Sequence, residues 1–125
     1  MGSHFGIDDG DWDDAKRELR EAILRRALNR RMTWYGEIAP EITVVHIDPY
    51  SEAMNHLLGE ILEDDHREGL PLITSIVTHK NGDKEPGDGF YDKARSLNYR
   101  FAEPFVFWST QVQRVFTMYG RPGRT

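Results

Sequence analysis

The chain contains no cysteine. That absence excludes disulfides, thiolate metal sites and cysteine nucleophiles together, and it points to a reducing compartment, the cytoplasm. Long apolar runs are also missing. Hydrophobic residues make up 38% of the 125 and charged residues 30%, so no membrane-spanning segment and no membrane partner are expected. No basic-then-apolar leader opens the sequence, and Met1-Gly2-Ser3-His4 reads as a cloning remnant. There is no internal repeat and no low-complexity tract. What the chain does have is Trp 3, Tyr 5 and Phe 6, too aromatic a composition for disorder. A chain of this length makes one domain and buries roughly two-thirds of its unfolded surface. The expected layout is a disordered or tag-derived head over residues 1–10, a single domain over 11–120 and a frayed tail over 121–125.

The net charge of −5 hides a segregation along the chain. Residues 1–14 carry Asp8, Asp9, Asp11, Asp13 and Asp14 with no Lys or Arg. Residues 15–31 carry Lys16, Arg17, Arg20, Arg25, Arg26, Arg30 and Arg31 against Glu18 and Glu21. Residues 41–68 are acidic again, with Arg67 the only base, and residues 99–125 return to a basic balance through Arg100, Arg114, Arg121 and Arg124 against Glu103. A basic stripe beside an acidic one has two readings. Either the stripe meets a polyanion, or the two helix faces are solvated and pair with each other.

Apolar spacing predicts a helix from Trp12 to about Arg31, with Trp12, Ala15, Leu19, Ala22 and Ile23 on one face. Its acidic head lies at the N-terminus, where aspartates oppose the helix dipole favourably. Tyr35–Ala39 reads as a short helix stopped by Pro40, and β-branched Ile42–Ile47 as an extended segment. Asp48-Pro49 opens the next helix with Asp48 as N-cap and Ser51 as the competing cap; Met54, Leu57, Leu58, Ile61 and Leu62 form its stripe and Gly69 its stop. Leu70–His79 reads as a strand. Lys80–Gly89 is a turn-rich loop with a hairpin-type Asn81-Gly82. Phe90, Tyr91, Ala94 and Leu97 mark a further helix, with Asp88 as a candidate cap. Glu103-Pro104 opens the last helix, which ends at Gly120. A helix pair followed by strand–loop–strand has the order of a winged helix-turn-helix, and a generic small α+β domain gives a similar pattern.

At Met32-Thr33-Trp34-Tyr35-Gly36-Glu37-Ile38-Ala39 the chain resembles the "TYGEIA" entry helix of the DNA alkyltransferases and alkyltransferase-like proteins. Leu58-Gly59, Pro71 and the Lys80–Gly89 loop come in the order of that family's recognition helix, Pro-led segment and wing, so the likeness covers roughly residues 32–95. It implies a winged-helix fold and allows DNA binding, with Tyr35 matching a phosphate-contacting residue. The departures limit it. Leu72-Ile73-Thr74 stands where the family has the Cys-His-Arg of its acceptor motif, and His56 stands where it has its arginine finger. Alkyl transfer and lesion flipping are therefore not implied. The segment Gly69–Tyr91 also resembles one in short bacterial and phage proteins.

The site residues derive from these elements. On the helix from Asp48, the face opposite the apolar stripe carries Glu52, His56, Glu60, Glu63 and Arg67. Three carboxylates oppose phosphate, so conventional recognition-helix docking is disfavoured. A nucleic acid would instead meet Lys16, Arg17, Arg20, Arg30 and Arg31 on the first helix, with Tyr35, Lys80 and Lys84. The alternative is a regulatory module whose Glu52, His56, Glu60 and Glu63 dock a basic protein partner. A metal-dependent hydrolase on His46, His56, Glu60 and Asp64 is a remote third, since no demanding ligand spacing is present. Ser51, Ser75 and Ser109 lie in no nucleophile context. The glycines of the Lys80–Gly89 loop would cradle a phosphate only by opening a helix with free N–H groups, and Asp83, Glu85 and Asp88 would repel the anion. Off-stripe Val106 and Phe107 on the aromatic last helix give it a second contact face, on the first helix or in a homodimer.

The sequence reading is thus an α+β domain of winged helix-turn-helix type with an added C-terminal helix, non-catalytic and without cofactor or metal. Its expected partner is nucleic acid, or alternatively a basic protein.

Overall fold

In a computed structural model, residues 3–122 are described, and each element begins from a local signal. Ser3–His4 (β1) and Ile7–Asp8 (β2) pair antiparallel across Phe5-Gly6, both at positive φ of 56° and 80°, the left-handed pair that a two-residue hairpin needs. The His4 ring stacks on Trp12 at 4.6 Å, and Phe5 meets His56 edge-on at 5.0 Å. The segment expected as a disordered or tag-derived head thus contains a hairpin from Ser3 to Asp8. Met1 and Gly2 lie outside the described residues, as do residues 123–125 of the expected tail. Arg121 is tied down by its N–H to the Leu28 carbonyl at 3.0 Å.

Asp8 caps the first helix, Asp9–Leu28 (α1), by accepting the Asp11 N–H at 2.8 Å. The helix begins and ends about three residues before the expected bounds. It ends early because Arg30 turns left-handed (φ 52°), letting the Arg30 and Arg31 N–H groups close on the Ala27 and Arg26 carbonyls. Trp12, Ala15, Leu19, Ala22, Ile23 and Ala27 form its buried face.

Thr33–Trp34 (β3) leads into Tyr35–Ile38 (α2) and a 3₁₀ turn over Ala39–Glu41. The next helix, Glu52–Arg67 (α3), is capped by Ser51, whose Oγ accepts the Met54 N–H at 3.2 Å. Asp48 instead caps the preceding turn, accepting the Tyr50 N–H at 2.9 Å. Gly69, at φ 69°, supplies the left-handed stop.

One expected strand is corrected, and the expected extended segment is not part of a sheet. Ile42–Ile47 pairs with no strand among the described residues. The Glu18 carboxylate accepts the Thr43 N–H (2.9 Å), the Val44 N–H (3.2 Å) and the Thr43 hydroxyl (2.5 Å), taking the place of a ladder. Leu70–His79 is mostly a buried irregular run with a 3₁₀ turn at Ile73–Ile76. Two of its N–H groups are served by side chains: Gln111 Oε1 takes that of Leu72 at 3.1 Å, and Asp65 Oδ2 that of Ile73 at 3.0 Å. Only Val77–Thr78 (β4) is strand, parallel to β3.

The loop after β4 does not return as a wing strand. Of the Asn81-Gly82 pair only Gly82 is left-handed (φ 89°), which is not the doubly primed geometry of a tight hairpin. The chain passes instead into Asp88–Ser96 (α4), capped at Gly87 rather than Asp88, and then into Pro104–Tyr119 (α5). The architecture is helical with two small two-stranded sheets, an α+β domain. The core lies between α1, α3 and the 73–76 turn, with a second cluster of Leu62, Leu72, Phe90, Tyr91 and Trp108 under α4 and α5. The last helix packs on α1 and on that turn. Among the described residues no helix is long and apolar enough to cross a membrane.

Candidate binding site

The basic residues of α1 point into the molecule's own acids. Lys16 Nζ lies 3.3 Å from both Glu60 and Asp64 on α3. Burial pulls the Lys16 pKa down, but Asp64 and Glu60 outweigh it and raise it. Arg20 Nη1 lies 2.9 Å from the buried Asp65 Oδ1, and its positive charge compensates that oxygen. Burial raises the Asp65 pKa against the Ile73 N–H and Arg20. At the other end Arg25, Arg26 and Arg31 share Glu37 and Glu41 in a chain of ion pairs, which Thr33 Oγ1 joins by donating to Glu37 at 2.6 Å. Arg17 pairs with Asp14 and Glu21 on its own helix. Arg30 donates to the Arg121 carbonyl at 3.2 Å. Of the eight residues assigned to nucleic acid, Arg30, Tyr35, Lys80 and Lys84 form no ion pair among the described residues, and Tyr35 is buried. The eight are not brought together.

The acidic face of α3 is covered by the same pairing. Glu60 accepts the Trp12 Nε1–H as well as Lys16, and Glu63 accepts from Lys93 Nζ at 2.9 Å. His56 carries Phe5 against it, leaving Glu52 without an ion partner among the described residues. No group of three or more His, Asp or Glu is arranged to hold a metal among these residues.

A site the sequence did not single out lies at the N-terminus of α4. A cleft of ≈ 460 Å³ is lined by Tyr35, Asn55, His79, Asp83, Gly87, Asp88 and Gly89. Tyr35 is only 7% exposed, and its hydroxyl has no hydrogen-bond partner among the described residues. Burial raises its pKa. The Tyr35 and Tyr50 rings stack at 6.2 Å, and His79 lies 5.4 Å from the first and 4.9 Å from the second. A Cβ at Gly87 would come within 3.4 Å of the Tyr35 hydroxyl and 3.6 Å of His79 Nδ1, so both groups converge on this glycine. Behind Tyr35 and Asn55 a void of ≈ 30 Å³ reaches Thr74, whose buried Oγ1 is also unpartnered.

The acidic character continues over α4. Glu85, Asp88, Asp92 and Glu103 line an adjoining groove with Tyr91, Phe105 and a single base, Arg95, whose guanidinium stacks over Phe101 at 4.4 Å. The Tyr91 phenol is pushed up to about 12 by burial and then by the Glu85 carboxylate. Phe105 is exposed at the rim. The missed signal is the acid spacing itself: in the sequence, the acids of the Lys80–Gly89 loop read only as obstacles to phosphate. Tyr35, on α2, and Gly87, at the start of α4, meet only in the fold.

No protein-family model matches the chain, and neither a curated protein nor a solved structure matches it.

Proposed function

We propose that this chain is a non-catalytic binding domain that docks a basic segment of a protein partner on the acidic surface of the loop and α4. One observation carries the reading. The arginine-rich helix is neutralised internally by Glu37, Glu41, Glu60, Asp64 and Asp65, while Asp83, Glu85, Asp88, Asp92 and Glu103 line grooves in which Arg95 is the one Lys or Arg among the described residues. Charge complementarity to a basic chain steers encounter and selects the partner, and exposed Phe105 offers an apolar anchor beside it. The basic-partner alternative drawn from sequence is kept, with its surface moved from α3 to α4.

Nucleic acid remains the second reading, favoured by the lack of a side-chain cap on α4 and by exposed Lys80 and Lys84. In this reading the fold is related to the winged helices, as β4 returns beside β3 after α2 and α3, without the second wing strand.

Fluorescence anisotropy with a labelled lysine/arginine-rich peptide and a labelled DNA duplex, at low salt, tests both. Peptide binding that weakens on Asp88→Lys with Asp92→Lys supports the proposal. Duplex binding with no peptide binding would refute it.

A further inference from the structure

The cleft at Gly87 has the chemistry of a subsite within that surface. Its lining offers hydrogen-bond acceptors and negative charge: the Asp83 and Asp88 carboxylates, the Asn55 side-chain carbonyl and the Tyr35 hydroxyl. No Lys or Arg lines it among the described residues. One Asp83 oxygen accepts the Lys80 N–H at 3.0 Å, which leaves its other oxygen free of that turn. The positive end of α4 is worth roughly half an elementary charge, and two ionised carboxylates outweigh it, so the site disfavours an anion. The Tyr50 ring, exposed beside His79, adds the aromatic face on which organic cations rest.

Two features argue that the cleft is built for occupancy. The Tyr35 ring is buried, and its hydroxyl makes no hydrogen bond among the described residues and faces the cleft as a free acceptor. Gly87 has φ −69° and ψ 166°, an extended conformation open to any residue. Its lack of a side chain therefore does nothing for the backbone, and it keeps open the space facing Tyr35 and His79.

We propose that this cleft receives one organic cation, the side chain of a Lys or Arg on the docked segment. Asp83 and Asp88 hold the charge, Tyr35 and Asn55 accept its N–H groups, and the Tyr50 and His79 rings lie alongside. The inference deepens the basic-partner reading and rests on it for the source of the cation.

The test separates the two. The native chain, Gly87→Leu, Asp88→Asn and Tyr50→Ala are each titrated with methylguanidinium chloride, with inorganic phosphate and with the basic peptide. The readouts are the amide signals of Gly87 and Gly89 in nitrogen-15 spectra and peptide anisotropy, and a thermal melt verifies that each variant is folded. The expected result is a saturable shift of both amides with methylguanidinium but not with phosphate. Folded Gly87→Leu abolishes it, and Asp88→Asn and Tyr50→Ala each weaken peptide binding by about tenfold or less. Peptide binding with no methylguanidinium shift overturns the subsite and leaves the surface standing. A phosphate shift alone overturns the cation assignment. A methylguanidinium shift without peptide binding upholds the subsite and refutes the protein-partner reading. Silence in every arm overturns both.

Discussion

Arg20 and Arg17 sit three residues apart on α1 and carry the same charge, yet their surroundings give them different weight. Arg17 pairs with Asp14 and Glu21 in water, where such pairs contribute about 0–1 kcal/mol. Arg20 faces Asp65, which is 1% exposed and cannot regain water without unfolding. Truncating one partner of a buried pair leaves an uncompensated charge, at a cost of about 3 kcal/mol or more. Urea unfolding is therefore expected to show Arg20→Ala strongly destabilised and Arg17→Ala within about 0.5 kcal/mol of the native chain. Equal effects would contradict the burial argument. Gly120 gives a steric counterpart. A Cβ there would collide with the Phe116 carbonyl and the Arg30 side chain, so Gly120→Ala is expected to lose about 1–3 kcal/mol in the same assay.

At the scale of elements, the caps decide. Ser51 accepts the Met54 N–H and begins α3, whereas Asp48 serves only the turn before it. Ser51→Ala is expected to lower stability by about 1 kcal/mol, and Asp48→Ala by less. A larger loss at Asp48 would return the helix start to Asp48-Pro49. Helix ends were legible in the sequence because their signals are local: Gly69 and Gly120 as stops, Pro104 as a start. The backbone pairing of the extended segment and of the expected strand was not. Ile42–Ile47 and Leu70–Ile76 are β-branched and apolar, which reports burial but not where the backbone bonds go. Those bonds end on Glu18, Gln111 and Asp65, side chains that no pattern within either segment reveals. The wing failed for a similar reason. Asn81-Gly82 signals a turn, but the geometry at Gly82 and the helix start at Gly87 turn the chain into a helix rather than a returning strand.

Over the whole molecule, the charge segregation read from the sequence becomes internal pairing, and this sets the response to acid. Glu18, Glu37 and Glu41 are lowered from 4.5 and Asp64 from 3.8. For Glu18 the Thr43 hydroxyl leads; for the other three, burial pushes upward and is outweighed by hydrogen-bonded and charged partners. The unfolded chain then binds protons at a pH where the folded one does not. Their stabilisation is complete above the ordinary carboxylate range and is lost as pH falls through about 4.5 and below. Asp65, raised from 3.8, works in the opposite direction, since the folded chain keeps its proton to higher pH. These four, with Glu63, which the Lys93 ammonium lowers, outnumber the one raised carboxylate. The urea midpoint is therefore expected to drop between about pH 5 and pH 3, and the drop to shrink in Glu37→Gln.

Among the charges that internal pairing leaves over are the acids lining the grooves of the loop and α4, and the most direct measurement of the proposal maps which face a partner touches. Nitrogen-15-labelled protein is titrated with an unlabelled lysine/arginine-rich peptide while every backbone amide is tracked. The expected perturbations gather on residues 83–92 and 103–105 and spare α1. Perturbations gathered on Lys16–Arg31, or produced only by a DNA duplex, would contradict the account.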